Sequence, residues 1–216
     1  MTVTVDELEV ADSPDAWTQA GFRVDPGGDA GPVCWVGGVR IRLVGRDRGA
    51  GIVGWSLRGL PADGTFEDLD GIPTARSMTA TAQAPTHANG VTAIDHIVLL
   101  TPDLGRTVAS MAAIGEQPRR KRDTELGGRP MRQVFFRLGE VILEVVGSPE
   151  TASDGPSTLW GITYTVADID ATAAFFGDRI GPVKDAVQPG RRIATLRHRD
   201  LDISVHTAVI STTLPA

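Results

Sequence analysis

The chain has 216 residues, enough for one large domain or two modest ones around a sizeable core. It is 41% hydrophobic and 22% charged, an ordinary balance for a globular protein, and it lacks the run of about 18 apolar residues that a membrane span needs. A net charge of −6 speaks against nucleic acid as the main partner, and a single cysteine, Cys34, excludes an intramolecular disulfide or a cysteine-built zinc site. The acidic, alternating start MTVTVDELEV does not read as a secretory signal, so the expected location is the cytoplasm.

In chain order, DELEVADSPDAW (6–17) predicts a strand that closes on Val-Ala-Asp. VCWVGG and VRIRLVG (33–45) predict a short hairpin, and GIVGWSLRGL (51–60) reads as the first strand of a further unit. Residues 61–90 are rich in Gly, Pro, Thr and Ala and predict a linker, most plainly over 76–90. IDHIVLLTPDL (94–104) is a strand running into an Asp-containing turn, followed by a short helix at 105–115. A polar strand-like stretch, 117–125, carries the basic run Arg119-Arg120-Lys121-Arg122, whose plain reading is a charged edge strand. Gly128-Arg129 then opens a hairpin of 131–138 with 141–147. The same order recurs in 159–169, 170–181 and 182–188, with Gly190-Arg191 opening a hairpin of 192–198 with 201–208. The expected domains are a degenerate unit plus an extra strand (1–60), a linker (61–90), and two paired βαβββ units (91–149 and 157–210).

Strand alternation places candidate chemistry. His96, Val98 and Leu100 share one side of their strand, and Ile142, Glu144 and Val146 share one side of theirs, opposite the apolar row Val141, Leu143 and Val145. A carboxylate inside such a run is costly to bury unless it is paired, so Glu144 is expected to face a polar cleft. His96 also has a plainer reading, a structural histidine beside Asp95. Asp103 and Asp168 read as helix caps, His87 and His198 as solvated, and Phe135-Phe136 and Phe175-Phe176 as pairs with one ring facing in. No phosphate loop or nucleophile elbow is present.

IDHIVLLTPDL, the helix after it and the FFRLGEVILEVVG hairpin resemble the vicinal-oxygen-chelate superfamily, which holds glyoxalase I, bleomycin-resistance proteins and extradiol dioxygenases. The resemblance spans about 91–209, with a weaker echo in 1–60. It implies an α+β fold of tandem βαβββ units forming a cupped mixed sheet, with a degenerate N-terminal unit. It further implies a divalent metal (Fe, Mn, Ni or Zn) held by His96, Glu144 and His206, with Glu144 moving a proton. In the second unit Gly161 stands where His96 does. An ungapped alignment sets His206 opposite Glu144, whereas a gapped one sets Ser204 there. Arg132, Gln133, Trp160 and Ser204 are the expected substrate contacts. Two functions follow from the resemblance: a glyoxalase-like lyase, isomerase or dioxygenase acting on a small oxygen-rich molecule, or a metal-free small-molecule binder. A homodimer is compatible with either.

Overall fold

Strands with alternating buried and half-buried residues dominate the computed structural model, which describes residues 2–28, 31–62, 66–78 and 85–212. The first half comprises β1 (Thr4–Val10), α1 (Pro14–Gln19), β2 (Val24–Asp25), β3 (Val33–Val36), β4 (Val39–Leu43), β5 (Ile52–Arg58), β6 (Asp68–Leu69) and β7 (Ile72–Arg76). These strands form one mixed sheet in the order β2-β3-β4-β1-β5-β7-β6. The second half comprises β8 (Val91–Leu100), α2 (Leu104–Ala113), β9 (Arg120–Leu126), β10 (Arg129–Leu138), β11 (Val141–Gly147), β12 (Thr158–Val166), α3 (Ile169–Phe176), β13 (Lys184–Asp185), β14 (Arg192–Thr195) and β15 (His206–Ser211). Its sheet runs β13-β14-β15-β12-β8-β11-β10-β9. The fold is therefore α+β, with the tandem units that the repeat predicts. Asp103 and Asp168 cap α2 and α3 by accepting main-chain N–H groups of the first turn, and Ser13 does the same for α1.

The two halves repeat each other, and share two of their irregularities. In each, the first strands of two units lie side by side and antiparallel, β1 with β5 and β8 with β12. Leu8 opposite Trp55 corresponds to Ile97 opposite Ile162, and Glu9 opposite Gly54 corresponds to Val98 opposite Gly161. The register skips Asp6 and Val53 in the first sheet, and Asp95 and Trp160 at the matching places in the second. Each skipped residue is a bulge, an extra residue that turns its side chain out of the usual alternation. The buried rows, Leu8, Val10, Trp55 and Leu57 from one sheet and Ile94, Ile97, Leu99, Ile162 and Tyr164 from the other, belong to a single core.

On its other face the first sheet is filled by ion pairs. Asp6 accepts from Arg40 (2.7 Å), Arg58 and Ser77. Glu7 pairs with Arg40 (3.4 Å) and Arg42 (2.7 Å), and Glu9 pairs with Arg42. The first sheet thus keeps the strands while salt bridges cover this face. The stretch 61–90 is not the plain linker that its composition predicts, because β6 and β7 extend the sheet from β5. Leu69 and Ile72 supply the buried apolar contacts that hold them there. Residues 79–84 of the expected linker lie outside the described residues. His87 is buried rather than solvated, with Nε2 bonded to the Trp35 carbonyl (2.8 Å) and Nδ1 accepting from the Arg23 amide (3.0 Å). Burial lowers its pKa, against the opposing effect of the Trp35 bond.

Two polar joints fasten the halves. Asp12, just past β1, accepts from the Trp17 indole (3.2 Å), the Ser204 amide (3.0 Å) and the Ser204 hydroxyl (2.6 Å). The Ser204 hydroxyl in turn accepts from the Gly51 amide (2.6 Å). Asp70, just before β7, accepts from Arg106, Thr107 and the Ser157 hydroxyl, and its carbonyl accepts from the Ser157 amide (2.9 Å). Both carboxylates are almost wholly removed from water, so each depends on its donors. Asp12→Ala should lower the free energy of unfolding by about 3–5 kcal/mol, because it strands one buried and two half-buried donors. Ser204→Ala should cost only about 1–2 kcal/mol, since the Ser204 amide still reaches Asp12. Urea denaturation monitored by Trp fluorescence measures both, and equal losses would contradict the assignment.

Candidate functional site

The open face of the second sheet carries a chain of polar side chains. On β8, the bulge at Asp95 brings this residue to the same side as His96, which an unbroken strand would forbid. His96 Nδ1 lies 2.8 Å from Asp95 Oδ2, and Arg191 Nη2 lies 2.6 Å from Asp95 Oδ1. Arg191 precedes β14, three strand positions from β8 and roughly 14 Å away in a flat sheet. Its reach to Asp95 therefore requires the sheet and its loop to curl over the open face, which is the expected cup. Arg191 also donates from Nε to the Ser211 carbonyl (2.7 Å).

From the other side, Arg122 on β9 donates to Gln133 Oε1 (2.5 Å), and Gln133 Nε2 donates to Glu144 Oε1 (2.5 Å). Glu144 Oε2 and His96 Nε2 then face each other at 3.8 Å. Both side chains are 14% exposed, open enough to meet a ligand and enclosed enough to hold it away from bulk water. Burial opposes ionisation of Asp95, but the hydrogen bonds from His96 and Arg191, with their charges, outweigh it and hold the carboxyl below the usual range. The structure thus brings His96, Glu144 and Gln133 together and adds Asp95, Arg191 and Arg122. Arg132 is not among them. It lies one residue out of phase with Gln133 and pairs with Asp123 (2.6 Å) away from the open face.

No protein-family model and no curated protein matches the sequence. Solved structures do match it in shape. A triple mutant of 4-hydroxymandelate synthase from Streptomyces coelicolor superposes at TM-score 0.68 with 12% identity, covering 100% of this chain and 94% of that one. A xylose isomerase-like TIM barrel/4-hydroxyphenylpyruvate dioxygenase fusion protein superposes at TM-score 0.63 with 13% identity, covering 100% of this chain and 50% of that one. The chain has the vicinal-oxygen-chelate fold.

Within the vicinal-oxygen-chelate fold, strand pairing settles which residues of the second unit match His96 and Glu144. His96 and Glu144 align with Ile142 and Val98 across β8 and β11; Gly161 aligns with His206 and Thr163 with Ala208 across β12 and β15. The residue opposite Glu144 in the repeat is therefore Ala208, not His206 or Ser204. The cause is the connection from β14 to β15, which passes through a turn of 3-10 helix (His198–Leu201) and a left-handed Asp202, whereas β10 and β11 are joined tightly at Gly139 and Glu140. Those added residues shift the strand outward along the sequence.

His206 is accordingly elsewhere. Its ring stacks on Trp160 (4.1 Å, 16°) and lies 4.5 Å from that of His198, beside a 310 Å³ groove that also meets Arg46 and Arg199. Trp160, 43% exposed, serves as the platform for this stack, and Ser204 is held in the Asp12 joint. His198 is half-buried, with Nδ1 on the Ile203 carbonyl (2.8 Å). The second unit therefore offers Gly161 and Ala208 where donors are needed. Among the described residues no three His, Cys, Asp or Glu side chains are grouped to hold a metal ion. The three-residue set expected from the sequence does not form, and the residues present fit at most a two-donor contact.

Gly161 has a packing reason as well. A Cβ there would sit 2.7 Å from the His206 carbonyl oxygen. Gly161→Ala should therefore cost about 1–3 kcal/mol of stability by chemical denaturation, and a neutral result would mean that β12 and β15 approach less closely. His206 yields a pH prediction. Burial, then the charges of His198 and Arg199, hold its pKa below the ordinary range. Folding thus disfavours its protonation, and the protein should lose stability as pH falls from about 6.5 toward the depressed value. His206→Phe keeps a ring on Trp160 and should flatten the dependence of unfolding free energy between about pH 7 and 5. An unaltered slope would count against this origin.

Proposed function

We propose that this protein binds a small oxygen-rich organic molecule in the cup of its second sheet, directly on His96 and Glu144. One observation carries the reading: an imidazole nitrogen and a carboxylate oxygen stand 3.8 Å apart on the open face, each oriented from behind by a side-chain chain that ends in a guanidinium. Such preorganisation orients a polar ligand without a cost of reorientation at binding. Glu144 is the group set to take a proton from that ligand, and His96 Nε2 is its neighbour. Because the second unit has Gly161 and Ala208 at the positions matching His96 and Glu144, recognition falls to these side chains themselves, with Phe135, Val98 and Val146 as apolar surroundings. This favours the metal-independent binder over an enzyme built on a three-ligand centre.

The test is a thermal-shift and calorimetric screen of 2-hydroxy acids, dicarbonyls and catechols, run with and without EDTA. A ligand at about 100 times its Kd should stabilise by about 2.7 kcal/mol, a rise of roughly 5–10 °C for a chain of this size. The shift should survive EDTA and vanish in Glu144→Gln and His96→Ala. Binding that appears only with added metal would overturn the metal-independent reading.

A further inference from the structure

The polar chain across the cup has one break, and the chemistry on its two sides is unbalanced. An arginine only donates, so Arg122 fixes the amide of Gln133 with its oxygen outward and its N–H toward Glu144. At the other end Arg191 occupies one oxygen of Asp95, and the other oxygen receives His96 Nδ1. In the neutral imidazole the proton that makes this bond resides on Nδ1, which leaves Nε2 a bare acceptor. Glu144 Oε2 is an acceptor too. In that tautomer two acceptors face each other at 3.8 Å.

From this we infer that the ligand's group at this place is a hydroxyl, donating its O–H into the gap, and that Asp95 and Arg191 are positioning residues that keep His96 able to accept it. The inference rests on the cup being the binding site. A hydroxyl fits better than an ammonium because the chain already balances its charge, with Asp95 and Glu144 against Arg191 and Arg122. The gap therefore holds no excess negative charge for a cation, while its two lone pairs still call for a donor. An ether or ketone oxygen, itself an acceptor, would be set against both.

Two measurements on the full chain test this. The first is the long-range proton–nitrogen correlation spectrum of the histidine rings at pH 8. His96 should show a protonated Nδ1 and a bare Nε2, and Asp95→Asn should redistribute the proton, whereas Arg132→Gln should leave the pattern alone. A protonated Nε2 in the unmodified protein overturns the inference. The second compares glycolate, lactate and catechol with methoxyacetate, 2-methoxypropionate and 1,2-dimethoxybenzene by calorimetry. The hydroxyl series should bind at least about tenfold more tightly, the margin of one charge-assisted hydrogen bond. Equal affinities overturn the hydroxyl assignment and leave the cup standing as the site. Binding by neither series removes the cup reading and this inference with it.

Discussion

A single extra residue in β8 governs the site. In an uninterrupted strand Asp95 and His96 would lie on opposite faces, with the carboxylate thrust into the core beside Ile97 and Leu99. The bulge removes that conflict and turns the same carboxylate into the support of an imidazole. It also explains why the apolar side chains of β8 remain buried on both sides of the irregularity. The matching bulge at Asp6 shows what else the geometry can do. There the next residue is Glu7, and the two carboxylates are met by Arg40, Arg42 and Arg58, which close the face.

The comparison of the two faces separates architecture from chemistry. Arg42 occupies on β4 the register position that Glu144 occupies on β11, and Glu7 stands where His96 stands. In the first half these residues are of opposite sign and satisfy one another. In the second half the two face each other across the gap and each is held from behind, Glu144 by accepting from Gln133 and His96 by donating from Nδ1 to Asp95, which Arg191 pairs. The first face has satisfied itself, and the second, where His96 and Glu144 still face each other, is the one proposed to bind a ligand.

Much of this was legible in the residues. The repeat, the strand order, the capping aspartates and the shared face of His96 and Glu144 follow from alternation and turn chemistry. So does the edge strand β9, whose Arg122 nonetheless turns inward to Gln133. Three features were not legible, for different reasons. A bulge leaves no mark in a hydrophobic pattern, so Asp95 read only as a neighbour of His96. The register of β15 depends on a connection whose length varies freely, and this misplaced His206 and Ser204. Parity alone does not say which of two adjacent residues faces in, so Arg132 stood beside Gln133 until pairing with Asp123 separated them.

The joints at Asp12 and Asp70 make the halves mutually selective. On the first half, both the turn before its last strand (Asp70) and the junction after its first strand (Asp12) are carboxylates. On the second half, the corresponding places carry hydroxyls, Ser204 in the turn and Thr107 and Ser157 around the junction. Two first halves brought together in this way would oppose carboxylate to carboxylate, and two second halves would oppose hydroxyl to hydroxyl. In the mixed pair each of these carboxylates accepts from hydroxyls of the other half. The contacts that join the halves are thus complementary in kind, carboxylate on one side and hydroxyl on the other, and a half meeting its own like would lose that match.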